Sequence, residues 1–264
     1  MTESPVSYVV ENGVGTITLN RPEDMNSLNI ATKEALLAAV TEAAADTGVR
    51  CVVLTGTGRA FCVGQDLKEH IGILQSSSSD ELFTTVPEHY NPIVTGLATM
   101  QKPVIAAVNG VAAGAGASLA FACDFRILAD TAGFNLAFSG IALSCDTGSS
   151  WTLPRLVGRA KALELLYFPR TIPAAESAEL GLATKVVPAD GLANEAVEMA
   201  QHLATGPTVA FGSIRRAVGY SAGHDFESSL AFEAEMMALT GATADHRNAV
   251  ESFVAKQKPA FDGK

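Results

Sequence analysis

From Pro103 to Cys123 the chain carries no charged side chain. About twenty uncharged residues approach the length of a membrane-crossing helix. This run is built from Ala and Gly rather than Leu, contains Asn109 and Ser118, and stops at Asp124 and Arg126. A buried strand, a Gly-rich turn and a buried helix explain it better than a membrane span. Such a segment must be enclosed on every side, which takes a sizeable core. The 264 residues are enough for one large domain, or for a domain with a smaller appendage.

Charged residues make up 17% of the chain and hydrophobic ones 48%. That balance excludes an intrinsically disordered chain and suggests burial by self-association. Lys plus Arg number 18 and Asp plus Glu 28, a net charge of −10. There is no global electrostatic case for nucleic acid or an anionic membrane, so an anionic ligand must meet a local basic patch. Cys51, Cys62, Cys123 and Cys145 form no CxxC pair. They are expected to be reduced thiols in a cytoplasmic protein. MTESPVSYVVENG has neither the basic nor the apolar region of a signal peptide.

Ser7–Asn20 predicts two short strands around Asn12-Gly13. Ile30–Ala45 has helical spacing, with Leu36, Leu37 and Val40 on one face and Gly48 as the stop. Val49–Gly56, Pro103–Gly110 and Phe125–Asp130 are apolar strands of the kind a parallel sheet buries on both faces. Helix alternating with buried strand argues for an α/β chain. The stretches after the first two strands predict a Gly turn leading directly into a helix. Ser76–Pro92 is polar and broken by Pro, which predicts a mobile segment bordering a site. Gly158–Phe168 is helical, Ile172–Pro188 a helix and a short strand, and the pattern from Gly191 onward helical. Residues 1–190 are therefore expected to form the α/β core and 191–264 a helical region.

Two Gly-rich turns carry the chemistry. In GTGRAFCVGQDL (Gly56–Leu67) and NGVAAGAGASLA (Asn109–Ala120), glycines between a buried strand and a helix let backbone N–H groups face outward. The second is not a P-loop, nor is it GxGxxG, since Leu119 stands at the third Gly position. Alone, each turn also fits close helix packing. Together, two N–H donors converging on one oxygen make an oxyanion hole. DTGSS (Asp146–Ser150) matches the aspartic-protease signature, with a second DTG at Asp46–Gly48. That chemistry needs two such loops in an all-β fold, and this chain is too helical. Asp146 lies between Leu143, Cys145 and Trp151. A carboxylate in apolar company has a raised pKa and can act as acid or base, or it can cap the helix starting near Gly148. The five histidines show no metal-ligand spacing, so no metal is expected.

In order along the chain, NRPEDMNSLN, GTGRAFCVGQDLKE, KPVIAAVNGVAAGAGASLAFACDFRILAD, LPRLVGRAKALEL, AAESAELGLATKVVP and DHRNAVESFVAKQKPAF resemble the crotonase (enoyl-CoA hydratase/isomerase) superfamily. The likeness covers nearly the whole chain. It implies a spiral of repeated ββα units and a C-terminal helical trimerisation region, giving a homotrimer or a dimer of trimers. The implied substrate is an acyl-CoA thioester, with CoA part of the substrate and no further cofactor. The implied oxyanion donors are the backbone N–H groups of Gln65 and Ala115. Substrate contacts are implied at Asn26, Leu28, Ala60, Cys62, Asp66, Leu67, Lys68, Gly114, Ser118 and Phe138, and at Lys258 and Phe261 from a neighbouring subunit.

The chain departs from the family's hydratases at two points. Where they carry glutamates it has Ser118 and Phe138. Asp146, however, falls where isomerases of the family and the dihydroxynaphthoyl-CoA synthases place an Asp. DTGSSWTLPRLVGRAKA is most similar to the ring-1,2-epoxyphenylacetyl-CoA isomerase branch. The resemblance therefore implies an acyl-CoA isomerase, with a thioester enolate and an Asp proton shuttle. The alternatives are an enoyl-CoA hydratase and a non-catalytic acyl-CoA-binding homologue.

Overall fold

The computed structural model describes residues 4–76 and 83–264. Strands β1 (Val6–Glu11) and β2 (Val14–Leu19) form an antiparallel hairpin. Asn12 and Gly13 both take positive φ, which a two-residue turn of the matching twist requires. Helix α1 (Ile30–Ala45) starts at Asn29, whose side chain accepts from Thr32 N. It buries Leu36, Ala39, Val40 and Ala43. Next come β3 (Cys51–Gly56), β4 (Ala60–Cys62) and α2 (Leu67–Ser76). A single π turn at Val86–Tyr90 leads into α3 (Asn91–Thr99). The same pattern then repeats in β5 (Val104–Val108), β6 (Val111–Ala113) and α4 (Ala115–Ala122). A third round comprises β7 (Phe125–Ala129), β8 (Gly133–Asn135) and α5 (Ser149–Val157). In each round the chain visits one sheet, then a second, then a helix, so the whole is a spiral of ββα units. Helix α6 (Arg159–Tyr167), β9 (Thr171–Pro173), α7 (Ala174–Glu179) and β10 (Lys185–Val187) complete the α/β portion.

The main sheet has the order β1-β2-β3-β5-β7-β10, parallel except for the hairpin. The second has the order β4-β6-β8-β9, with only β8–β9 antiparallel. The sequence pattern places the first sheet but misses the second. β4 and β6 lie inside the stretches that predict turns, and β8 and β9 lie where no strand is predicted. Close backbone approach joins the sheets. A Cβ on Gly110 would stand 2.1 Å from Arg59 O, and one on Gly56 2.4 Å from Phe61 O. Every residue of α4 is buried, which accounts for the uncharged run.

Helix α8 (Leu192–Ala204) covers β3, β5 and β7, burying Leu192, Ala196, Ala200, Leu203 and Ala204. The layered core therefore extends beyond residue 190, to the end of α8. Helix α9 (Thr208–Ser221) is tied back by Arg215, whose Nε donates to Asp124 Oδ1 at 2.6 Å and whose NH1 donates to Met100 O at 2.7 Å. Helices α10 (Phe226–Gly241) and α11 (Ala244–Val254) expose Phe226, Met237, Phe253 and Val254. No helix among the described residues is long and apolar enough to cross a membrane. All four cysteines are free thiols, with Cys51, Cys62 and Cys123 buried and Cys145 half-buried.

Candidate active site

A cavity of about 460 Å³ opens where the two Gly turns meet the loop before α5. Its lining includes Gln65, Asp66, Leu67, Lys68, Gly114, Ala115, Phe138 and Asp146. The sequence-derived candidates with side chains or backbone on this surface are thus drawn together from three separate ββα units.

The two turns touch. A Cβ on Gly64 would lie 2.9 Å from Ala113 O and 3.2 Å from Ala115 N, and one on Gly116 would lie 2.1 Å from Cys62 O. Gly64 and Gly114 take positive φ, so the chain can reverse at both places. Leu28 N donates to Gly64 O at 2.8 Å and Asp66 N to Leu28 O at 3.2 Å, which anchors the backbone on either side of Gln65. Among the described residues neither Gln65 N–H nor Ala115 N–H has a hydrogen-bond acceptor. Ala115 is the first residue of α4, where the helix leaves N–H groups unpaired and its dipole is positive.

Asp146 faces the cavity from the other side, with Thr147 Oγ1 donating to its Oδ1 at 2.8 Å. It does not cap α5. That helix has Gly148 at its N-cap, and no side chain caps it. Burial holds the Asp146 carboxyl above the usual carboxylate range, against the opposing Thr147 hydrogen bond. The Trp151 ring is half exposed, lies under the Arg155 guanidinium at 3.3 Å and does not line this cavity. Thr147 is buried and has φ +50°, a left-handed conformation that a β-branched residue rarely adopts. The second DTG is a plain turn, in which Asp46 Oδ1 accepts from Gly48 N at 2.7 Å.

At the rim, Asp66 is engaged by protein groups. Arg21 NH1 donates to its Oδ2 at 3.0 Å, and Lys68 N to its Oδ1 at 3.0 Å. Burial opposes its ionisation, but Arg21, the Glu69 N–H and Ser27 outweigh it and hold the carboxyl below its usual range. Lys68 is exposed and pairs with Asp24 at 2.9 Å.

Other candidates have side chains that do not reach the cavity. Asn26, Leu28, Ala60 and Cys62 are fully enclosed. Asn26 Nδ2 donates to Thr57 O and Ala60 O, and its Oδ1 accepts from Arg21 N. It therefore pins the loop after β2 to β4 and offers no spare group to a ligand. Burial pushes the Cys62 thiol up to about 12. Ser118 is fully buried, within hydrogen-bond distance of Ser149 Oγ at 2.6 Å and donating to Gly114 O at 3.1 Å. Lys258 is exposed and Phe261 half-buried, with Phe261 O accepting from Arg50. Neither lines the cavity of its own chain. Cys145 lines a second cavity of about 470 Å³, which shares Phe138 and Leu143 with the first.

The sequence reading passed over Tyr90, Lys33 and Thr147. Tyr90 is buried, borders the cavity and donates its hydroxyl to Gln65 Oε1 at 2.6 Å. Ser76–Pro92 was expected to border a site, and Tyr90 is where it does so. Residues 77–82 of that segment lie outside the described residues, and the expected mobility falls partly on them.

Comparison with known proteins gives the family and the fold. Residues 10–264 match the model of the enoyl-CoA hydratase/isomerase family. The chain is 42% identical over 264 residues, all of both chains, to the 1,2-epoxyphenylacetyl-CoA isomerase of Escherichia coli K12. It is 32% identical to the short-chain-enoyl-CoA hydratase of Clostridium acetobutylicum, covering 94% of each. The crystal structure of an enoyl-CoA hydratase from Bacillus anthracis matches with a TM-score of 0.92 at 32% identity, covering 98% of this chain and all of the other. With the fold, the paired turns and the match along the chain in agreement, this protein belongs to the enoyl-CoA hydratase/isomerase family.

Proposed function

We propose that the protein is an acyl-CoA isomerase in which Asp146 moves a proton while the thioester enolate is held by the N–H groups of Gln65 and Ala115. The observation that carries this reading is the half-buried Asp146 carboxyl on the cavity bordered by both turns. Ser118 and Phe138 occupy the positions of the hydratase glutamates and bring no carboxylate. In an enoyl thioester, Asp146 removes a proton from carbon 2 of the 3-enoyl form. The electron pair spreads into a dienolate whose oxygen sits between the two N–H donors. The carboxylic acid then returns the proton at carbon 4, giving the conjugated 2-enoyl thioester with no net gain or loss of protons. A raised pKa suits a group that must both take and give a proton near neutrality. The name of the Escherichia coli relative favours a ring-bearing acyl group, for which the same pocket would support an epoxide-to-oxepin rearrangement.

The test is exchange of the α-proton of acyl-CoA thioesters in heavy water, together with isomerisation across an acyl-CoA panel. Asp146→Asn should lose most of both and still bind acyl-CoA. Full activity in that variant, or crotonyl-CoA hydration by the wild type at the rate of an efficient hydratase, would overturn the assignment.

A further inference from the structure

Against the Gln65 side chain lies a buried ammonium group. Lys33, on α1, has a side chain only 1% exposed. Its Nζ is 2.7 Å from Thr85 Oγ1, 3.3 Å from Gln65 Oε1 and 3.6 Å from Glu69 Oε1. Gln65 Oε1 thus accepts from both Lys33 and Tyr90, and the ammonium lies 5.4 Å from the centroid of the Tyr90 ring. Tyr90 forms part of the cavity wall.

The other buried lysine makes the contrast. Lys102 Nζ donates to Ala43 O and Asp46 O, closing the C-terminal end of α1. That role is complete within the protein. Lys33 meets no backbone carbonyl among the described residues, and its partners are side chains of the Gln65 turn, α2 and the π turn before α3. A buried charge is costly unless well paired. Among the described residues the carboxylate paired with Lys33 is Glu69, which also accepts from Ile30 N, while Asp66 acts on it without a direct contact. Burial draws the Lys33 pKa below its usual value, with Glu69 opposing. The cation is therefore only partly compensated, and it holds the side chain of Gln65, a residue that lines the cavity.

We propose that Lys33 is a positioning residue of the active site: it fixes Gln65 and Tyr90, and its charge strengthens the field at the thioester oxygen. The proposal rests on the oxyanion reading given above. A fixed positive charge behind the donor favours an enolate over the neutral thioester, most strongly where water is excluded.

The test uses a chromophoric cinnamoyl-CoA thioester, whose absorption moves to longer wavelength as its carbonyl is polarised. Wild-type protein should bind it with a red shift. Lys33→Met should bind with affinity within a few-fold of wild type and lose at least half of the shift. It should also lower kcat for α-proton exchange about tenfold with little change in KM, less than loss of a whole oxyanion donor would cost. If Lys33→Met cannot be folded, Tyr90→Phe serves instead. It removes one of the two donors to Gln65 Oε1 and should give an intermediate shift. Should the wild type shift the probe while the folded variant shifts it equally and keeps its kcat, Lys33 only supports the fold and the proposal fails. A wild type that binds the probe with no shift removes the oxyanion reading itself, and this proposal with it.

Discussion

The cavity has two walls made in different ways. One is main chain: the Gly64–Gln65 and Gly114–Ala115 turns, pressed together so closely that a methyl on Gly116 would collide with Cys62 O. The other is the loop from Phe138 to Gly148, which carries a 3-10 turn at Ser139–Ile141, left-handed Ala142 and Thr147, and an exposed Ile141. The first wall follows from the crossing of two sheets and offers N–H groups that every substitution except proline leaves in place. The second offers side chains, above all Asp146, on a backbone that carries strain of ~1–3 kcal/mol at a left-handed, β-branched Thr147. The unpaired N–H groups lie on one wall, and the carboxylate proposed to move the proton lies on the other.

That contrast can be broken most forcefully at Asp146. Asp146→Asn should lower proton exchange by ~10²–10⁴-fold, as loss of a positioned base does. Stability should respond in the opposite sense. Burial raises the Asp146 pKa in the folded state, so the folded protein holds this proton more tightly than the unfolded chain. The associated stability is complete below the unfolded pKa and is lost as pH rises through the folded one. Denaturant midpoints of variant and wild type should therefore converge in acid and separate in the variant's favour above that window. Wild type remaining the more stable at neutral pH would show that the carboxylate is structural.

The main-chain wall is probed by Gly116→Ala. The added Cβ meets Cys62 O at 2.1 Å and Cys62 Cβ at 2.8 Å, so backbone must part. Overpacking of this kind costs ~1–3 kcal/mol or more. Denaturant unfolding should show that loss, and calorimetry should show weaker acyl-CoA binding although no side chain of the chemistry has changed. Unaltered stability and binding would mean that the turns are not locked together.

A smaller effect is expected at Thr147→Val, which keeps the branched shape and removes the hydroxyl that bonds Asp146. That bond lowers the Asp146 pKa, so its loss should raise it further. The acid limb of the pH–rate profile should move to higher pH, because the working form is the carboxylate. The smallest change is expected at the rim. Lys68 and Asp24 form a pair whose lysine side chain is 87% exposed. Lys68→Ala should alter thermal stability by no more than the ~0.2–1 kcal/mol typical of exposed pairs.

The same division explains what could be read in the sequence. β3, β5 and β7 announce themselves as apolar runs, and Asn12-Gly13 announces the hairpin. The Gly turns mark the main-chain wall because glycine is the residue that allows both positive φ and backbone contact, as at Gly64 and Gly116. β4 and β6 were hidden because their three residues sit within Gly-rich runs that read as turns, and β8 and β9 are as short. Asp146 was visible as a carboxylate among apolar neighbours, but its position alone could not decide between cap and cavity, and only the family resemblance pointed to the cavity. Lys33 and Tyr90 were missed for another reason. Their significance comes from meeting at Gln65, 32 and 25 positions away, a junction that only the folded chain creates.

The contacts at Gly110 and Gly116 also have a mechanical meaning. With the carbonyl oxygens of Arg59, just before β4, and Cys62, at its end, seated where a methyl would otherwise stand, β4 cannot slide or lift without carrying the start of α4 along. The gap between the Gln65 and Ala115 amides should thus behave as a rigid gauge, insensitive to the breathing of the loop opposite. Warming or crowding the pocket would first change the distance from that gauge to Asp146. The molecule would then lose its accuracy in moving protons before it lost its grip on an oxygen.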